Sequence, residues 1–299
     1  MLTINPVLKK IINAKLSNPY SNKKSIQELR EEHIASGSII PLPENTDYEY
    51  VDANGVPSEW ITCNKTNSDG VFMFIHGGGY YRGSTKASRA TVARISSVSG
   101  LRCLSINYRL APEHPFPAAI NDTYQAYKWL LGQGIRSKDI VVGGISAGGG
   151  LTLALLIKLI ITKHPLPAGA IPISPWTDMT QSGETMKSNA ESDPSISKEY
   201  LDRWAKLYLA GASPETPLAS PLFADVVGLP PLLIQVGSAE TMLDDSRRFA
   251  EKAKNSLVDV EYEVWKDMFH GWHGSAHILN DAQMAIESIG RFCRKVLLT

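Results

Sequence analysis

The sequence predicts an α/β architecture: a mostly parallel central sheet flanked by helices, with a helical cap. Three observations lead there. Short, continuous apolar runs alternate with amphipathic helical stretches from Val71 onward. A glycine-rich turn joins one of those runs to the helix after it. One long polar stretch, Met179 to Ala212, breaks the alternation. Apolar strands separated by helices bury both faces of a parallel sheet, and such sheets carry their chemistry at the carboxyl ends of the strands.

Taken in order, residues 1–40 read as two short helices separated by an Asn18-Pro19 break and followed by a Pro41/Pro43 linker. An alternating segment around Tyr48 and Tyr50, an Asn54-Gly55 turn and a second segment through Trp60 and Ile61 form a hairpin signal. Buried strands are then expected at Val71–Ile75, Leu104–Ile106, Ile140–Val142, Ala170–Ile173 and Leu232–Val236, with a more alternating strand at Val260–Trp265. Helices are expected near Ala87–Val98, Ala118–Leu131, Gly148–Ile161, Asp244–Asn255 and Gln283–Val296. The polar interruption is partly helical over Lys198–Leu209 and reads as an insertion that packs with the N-terminal helices as a lid. The expected division is an α/β domain of residues 46–178 and 213–299 under a helical lid of residues 1–45 and 179–212.

Composition narrows the function classes. The 299 residues are 43% hydrophobic and 20% charged, with 30 basic and 30 acidic side chains. Zero net charge gives no electrostatic case for nucleic acid or an anionic membrane as partner. Cys63, Cys103 and Cys293 are widely spaced and form no metal-ligand pattern, so they read as inert thiols in a reducing compartment. The N-terminal segment lacks an uninterrupted apolar core and a small-residue cleavage site, and the greasiest run, Leu151 to Ile161, is too short to span a bilayer and carries Lys158. The expectation is a cytoplasmic protein with no stable membrane insertion, in which the sequons at Asn64 and Asn121 are chance matches.

The chemistry centres on Gly144-Ile-Ser146-Ala-Gly148, where an apolar strand runs into G-x-S-x-G and then a helix. That is the context of a nucleophile elbow in the α/β-hydrolase fold. The chain reverses so tightly that the positions two before and two after the serine must be small. The helix behind it turns free amides toward developing negative charge. A phosphate-binding reading fits poorly, because Ser146 occupies the second glycine position of G-x-G-x-x-G and no P-loop lysine follows. His76-Gly-Gly-Gly79-Tyr80, after the first buried strand, frees backbone N–H groups to converge with the Ala147 amide on an oxyanion. One such donor contributes about 3–4 kcal/mol to lowering the barrier.

Of seven histidines, His270 sits after the last strand and before the terminal helix, with Gly271 permitting a turn, and is the expected base. His273 and His277 have metal-ligand spacing but lack a third ligand, so no metal or other cofactor is expected. The acid should follow the Leu232–Val236 strand. Glu240, in the loop itself, is favoured over Asp244, which with Asp245 stands where a helix begins and acids are favoured by the dipole anyway. Tyr80, Tyr81, Trp176 and Trp204 are candidates to line an apolar substrate pocket.

These residues resemble the bacterial branch of the hormone-sensitive lipase family of esterases. The matches include the His76–Tyr80 and Gly144–Gly149 motifs, the block Tyr108-Arg-Leu-Ala-Pro-Glu-His-Pro-Phe-Pro-Ala-Ala119, Ser174-Pro-Trp176-x-Asp178 and the segment from Glu240 to Asp244. The resemblance implies Ser146 as nucleophile, His270 as base, Glu240 where members usually carry Asp, and oxyanion amides from Gly77, Gly78 and Ala147. It implies a serine carboxylesterase acting on small-molecule esters with short to medium acyl chains, without cofactors, in a family whose members often form a homodimer through the last strand. Ile145 departs from it, since members usually carry Asp or Thr there. Lactones, of the monoterpene kind or otherwise, and amides could be cut by the same triad. A non-catalytic small-molecule receptor is the remaining reading on this fold.

Overall fold

The computed structural model describes residues 5–17, 24–64 and 70–298. The Asn18-Pro19 break and Thr66 of the Asn64 sequon lie outside the described residues. One eight-stranded sheet organises the chain, in the order β1-β2-β4-β3-β5-β6-β7-β8. Strands β1 (Thr46–Asp52) and β2 (Pro57–Cys63) form an antiparallel hairpin, and β2 lies antiparallel to β4 (Arg102–Ile106). The strands β3 (Val71–Ile75), β5 (Ile140–Ile145), β6 (Gly169–Ile173), β7 (Leu232–Gly237) and β8 (Val260–Trp265) continue in parallel. The hairpin turn has positive φ at Asn54 (61°) and Gly55 (83°), as a two-residue turn matched to strand twist requires.

Why the inner strands are continuous apolar runs is plain from their two faces. Met73 and Ile75 pack with α4 (Ala118–Gly132) and α5 (Ala147–Ile161), while Phe72 and Phe74 pack with α3 (Thr85–Ser99) and α9 (Asn280–Leu297). Strand β8 stands at the sheet edge and has no fully buried position, which accounts for its alternating pattern. The long apolar helix α5 is buried along nearly its whole length.

Three helical pieces lie over the carboxyl edge of the sheet. Leu8 of α1 (Pro6–Ser17) packs with Met268, Phe269 and Trp272 in the loop beyond β8. Arg30 of α2 (Ile26–Ser38) donates to the carbonyls of Tyr81 and Ala111 at 2.8 and 2.9 Å and pairs with Glu113 at 2.7 Å. In the polar interruption, a short α6 (Thr185–Ser188) precedes α7 (Lys198–Leu209), whose Leu201, Trp204 and Tyr208 join the main core. Helix α8 (Leu243–Asn255) covers β7 on the α5 side.

The Tyr108–Ala119 block ties these layers together. Its Tyr108 hydroxyl donates to the His76 carbonyl at 3.0 Å, and the amides of Ala111 and Phe116 donate to the carbonyls of Tyr80 and Tyr208 at 2.9 and 2.7 Å. Arg109 grips Asp122 at 2.7 Å. The peptide bonds Ala111–Pro112 and Phe116–Pro117 are cis.

The tightest approach in the fold lies between β3 and the turn from β5 to α5. A methyl group on Gly148 would overlap the carbonyl of Ile75, and one on Gly144 would overlap the carbonyl of Gly148. Gly148→Ala is therefore expected to destabilise the protein by about 2 kcal/mol through overpacking. Urea unfolding should show a lower midpoint at unchanged m-value.

Candidate active site

Ser146 stands between β5 and α5 with φ 60° and ψ −120°, the first-position backbone of a type II′ turn, which favours glycine and strains a serine. Its amide donates to the Ile173 carbonyl at 2.9 Å, and its carbonyl accepts from Trp176 at 3.1 Å. The surrounding strands thereby hold the strained residue in place. The side chain opens into a cavity of about 710 Å³ beneath the helices at the sheet edge.

The glycines after β3 reach the same cavity. Gly77 runs so near the elbow that a methyl group there would stand 3.2 Å from Ser146 Cβ. Gly78 and Gly79 have φ of 119° and 61°, which favours glycine at both. Among the described residues the Gly77 and Gly78 amides have no protein acceptor. Ala147, as the first residue of α5, has no intrahelical acceptor for its own amide. His76 itself does not line the cavity. Burial pushes its pKa down to about 4, its Nδ1 donates to the Gly77 carbonyl at 2.8 Å, and its ring stacks on Tyr108.

His270 and Glu240 meet at 2.7 Å, His270 Nδ1 to Glu240 Oε2. The other carboxylate oxygen accepts from the Ser174 hydroxyl and the Gly237 amide, both at 2.7 Å. Glu240 has no solvent exposure, so these three donors satisfy an otherwise costly buried charge. A carboxylate can only accept, so Nδ1 carries the proton and Nε2 is left as the basic nitrogen. Burial opposes protonation of His270, but the charge and hydrogen bond of Glu240 outweigh it, with help from Asp193, and the ring titrates above an ordinary histidine. His270 and Ser146 line the same cavity, and no hydrogen bond joins the Ser146 hydroxyl to the ring. Such contacts commonly tighten only in the substrate complex.

The competing acids are committed elsewhere. Asp244 accepts from the amides of Glu184 and Thr185 at 2.7 and 3.2 Å and pairs with Arg247. Asp245 is fully buried against Thr177 and Asp178, and burial pushes it up to about 7. His273 shares a hydrogen bond with Gln235 at 2.9 Å and is pushed down to about 3 by burial. Among the described residues no cluster of three or more His, Cys, Asp or Glu side chains is placed to hold a metal.

Of the four aromatic pocket candidates, only Trp204 lines the cavity. The other three are corrected to core positions. Tyr80 is 1% exposed and stacks on Tyr208, Tyr81 is fully buried against Trp204, and the Trp176 indole donates to Gln181 at 3.0 Å. The left-handed backbone at Tyr80 (φ 65°) turns the chain inward after the glycines. Ile145, singled out in the sequence as a departure from the family pattern, lines the cavity, and so do Phe269, Lys15, His33 and Asp193, which sequence reasoning missed. Ile145 lies between Gly77 and Gly271, with its side chain 3.2 and 3.9 Å from methyl groups built on those glycines.

A family profile described as alpha/beta hydrolase fold matches residues 72–274. The chain belongs to that family, in the branch of the bacterial hormone-sensitive lipase esterases. A crystal structure of an esterase from that bacterial family superposes with a TM-score of 0.96 at 43% identity, covering 99% of this chain and 100% of that one. An acetyl-hydrolase of Streptomyces hygroscopicus is 40% identical over 238 residues, 79% of each chain. An esterase of Acinetobacter venetianus is 38% identical over 255 residues, 85% of this chain and 84% of that one.

The Glu240 contact has a direct spectroscopic consequence. In nitrogen-15 NMR, His270 should titrate above the ordinary histidine value with its proton on Nδ1 when neutral. Glu240→Gln should move that midpoint down and erase the tautomer preference.

Proposed function

We propose that this protein is a serine carboxylesterase that hydrolyses short- to medium-chain esters through an acyl-enzyme. The reading is carried by one observation: a histidine oriented by a buried, fully hydrogen-bonded glutamate shares a cavity with a serine on a strained elbow. His270 Nε2 takes the Ser146 proton as the hydroxyl attacks the ester carbonyl, and Glu240 stabilises the imidazolium that forms. The amides of Gly77, Gly78 and Ala147 take up the oxyanion. His270 then returns the proton to the leaving alcohol, and a water molecule repeats the sequence on the acylated serine.

The relatives support an ester substrate, since an acetyl-hydrolase and an esterase align over most of the chain. A second solved relative, EstE5, 37% identical with a TM-score of 0.95, has been soaked with p-nitrophenyl butyrate. In this reading residues 46–178 and 213–299 form the catalytic domain, and residues 1–45 and 179–212 form a cap that closes over a small-molecule ester. The edge strand β8 is the surface through which two copies would pair. The three cysteines are free and buried, which suits work in the cytoplasm. No helix among the described residues is long and apolar enough to cross a membrane.

Ser146→Ala should lower kcat for p-nitrophenyl butyrate by at least about 10⁴-fold while leaving the folded state intact. Along an acyl series from acetate upward, kcat/KM should peak at short to medium chains and fall for long ones. Full turnover by the alanine variant would remove the mechanism.

A further inference from the structure

Beside the His270–Glu240 pair lies a second buried carboxylate that the proposed mechanism does not use. Asp193, between α6 and α7, is 7% exposed and lines the same cavity. Its Oδ2 accepts the Thr241 amide at 2.9 Å and the Thr241 hydroxyl at 3.2 Å. Its Oδ1 accepts the amides of Ser195 and Ile196 at 2.9 and 3.1 Å. Neighbouring side chains grip the same loop. Asn189 donates to the carbonyls of Ser238 and Glu240 at 3.0 and 2.8 Å, and Ser192 donates to that of Ala239 at 3.0 Å. Each residue from 238 to 241 is thus held by the segment between α6 and α7.

We propose that Asp193 is a positioning residue of the active site, through which the cap pins the Glu240 loop and sets a second negative charge beside His270. The inference rests on the triad reading above. Burial, with the nearby Glu240 charge, holds the Asp193 carboxyl above the ordinary carboxylate range, while His270 and the hydrogen-bond donors that converge on it favour its ionised form; no cation forms an ion pair with it among the described residues. The charged groups that act on His270 come from three directions: Glu240 from the β7–α8 loop, Asp193 from the cap segment, and Lys15 from α1. Lys15 lies over the Phe269 ring at 5.0 Å and opposes the two carboxylates. Arg82 and His33 also line the cavity, from the β3–α3 loop and α2; the Arg82 charge acts on Lys15, and the Lys15 charge acts on His33. Burial works against the charge on both Asp193 and His270, and each favours the charged form of the other. When Ser146 gives up its proton, the imidazolium forms against two carboxylates instead of one.

The test is the pH profile of kcat/KM for p-nitrophenyl butyrate hydrolysis by the full-length protein, with Asp193→Asn, Lys15→Met and Ser146→Ala run side by side. In Asp193→Asn the acid limb should move down by about half a unit, with kcat down about tenfold and KM within about twofold. Lys15→Met should move the limb upward. Asp193→Asn that lowers the unfolding temperature but leaves the limb in place would mean a purely structural clamp and overturn the inference. A variant too unstable to assay does not shelter it. In the unmodified protein, the carbon-13 carboxyl signal of Asp193 should show a second inflection at the His270 midpoint, and a single inflection would overturn the proposal. Turnover retained by Ser146→Ala would instead sink the triad reading beneath it.

Discussion

The fold hinges on a steric constraint: the passage of the β5–α5 turn against the end of β3. Gly144 and Gly148 are bare because the carbonyls of Gly148 and Ile75 occupy the space their side chains would need. That contact forces the positive-φ backbone at Ser146, brings the start of α5 under the glycine loop, and sets Gly77 close to Ser146 Cβ. Strain of this kind costs about 1–3 kcal/mol and persists only where neighbours over-determine it. Here the Ile173 and Trp176 backbone bonds do so from the next strand and its loop.

Around that turn the molecule distributes its polar burden unevenly. The Glu240 carboxylate is saturated by Ser174, Gly237 and His270, so a charge with no access to water is held without an orphaned oxygen. Asp244 and Asp245, in the first turn of α8, serve the joint between α8 and the chain after β6. The helices over the sheet edge contribute on both sides of the cavity: Leu8 packs behind the His270 loop, and Arg30 braces the chain after the glycines. The segments over the sheet edge are therefore joined to the loops that carry Glu240 and His270 through shared contacts.

Much of this was legible in the sequence because it is local. The β3 and β8 strands and the α7 helix follow directly from apolar periodicity, and they match the observed bounds. The elbow and the glycine loop are contiguous motifs whose steric demands are visible in one dimension. The preference for Glu240 over Asp244 rested on local context, and Glu240 is the carboxylate that meets His270, while Asp244 accepts from the Glu184 and Thr185 amides. What stayed hidden depends on long-range placement. Tyr80 and Tyr81 follow the glycines, yet the chain turns them into the core, and periodicity carries no sign of that turn. Asp193 finds its partner at Thr241, in a different element, and an aspartate before a proline in a polar insertion looks like any surface residue.

The central claim is that Ser146 and His270 act as one proton-transfer unit. Intact-protein and peptide mass spectrometry after brief exposure to a p-nitrophenyl phosphonate tests it most directly. A single adduct on the Ser146 peptide is expected, forming far more slowly in His270→Ala. Labelling at another residue, or equal labelling rates with and without the imidazole, would contradict the account.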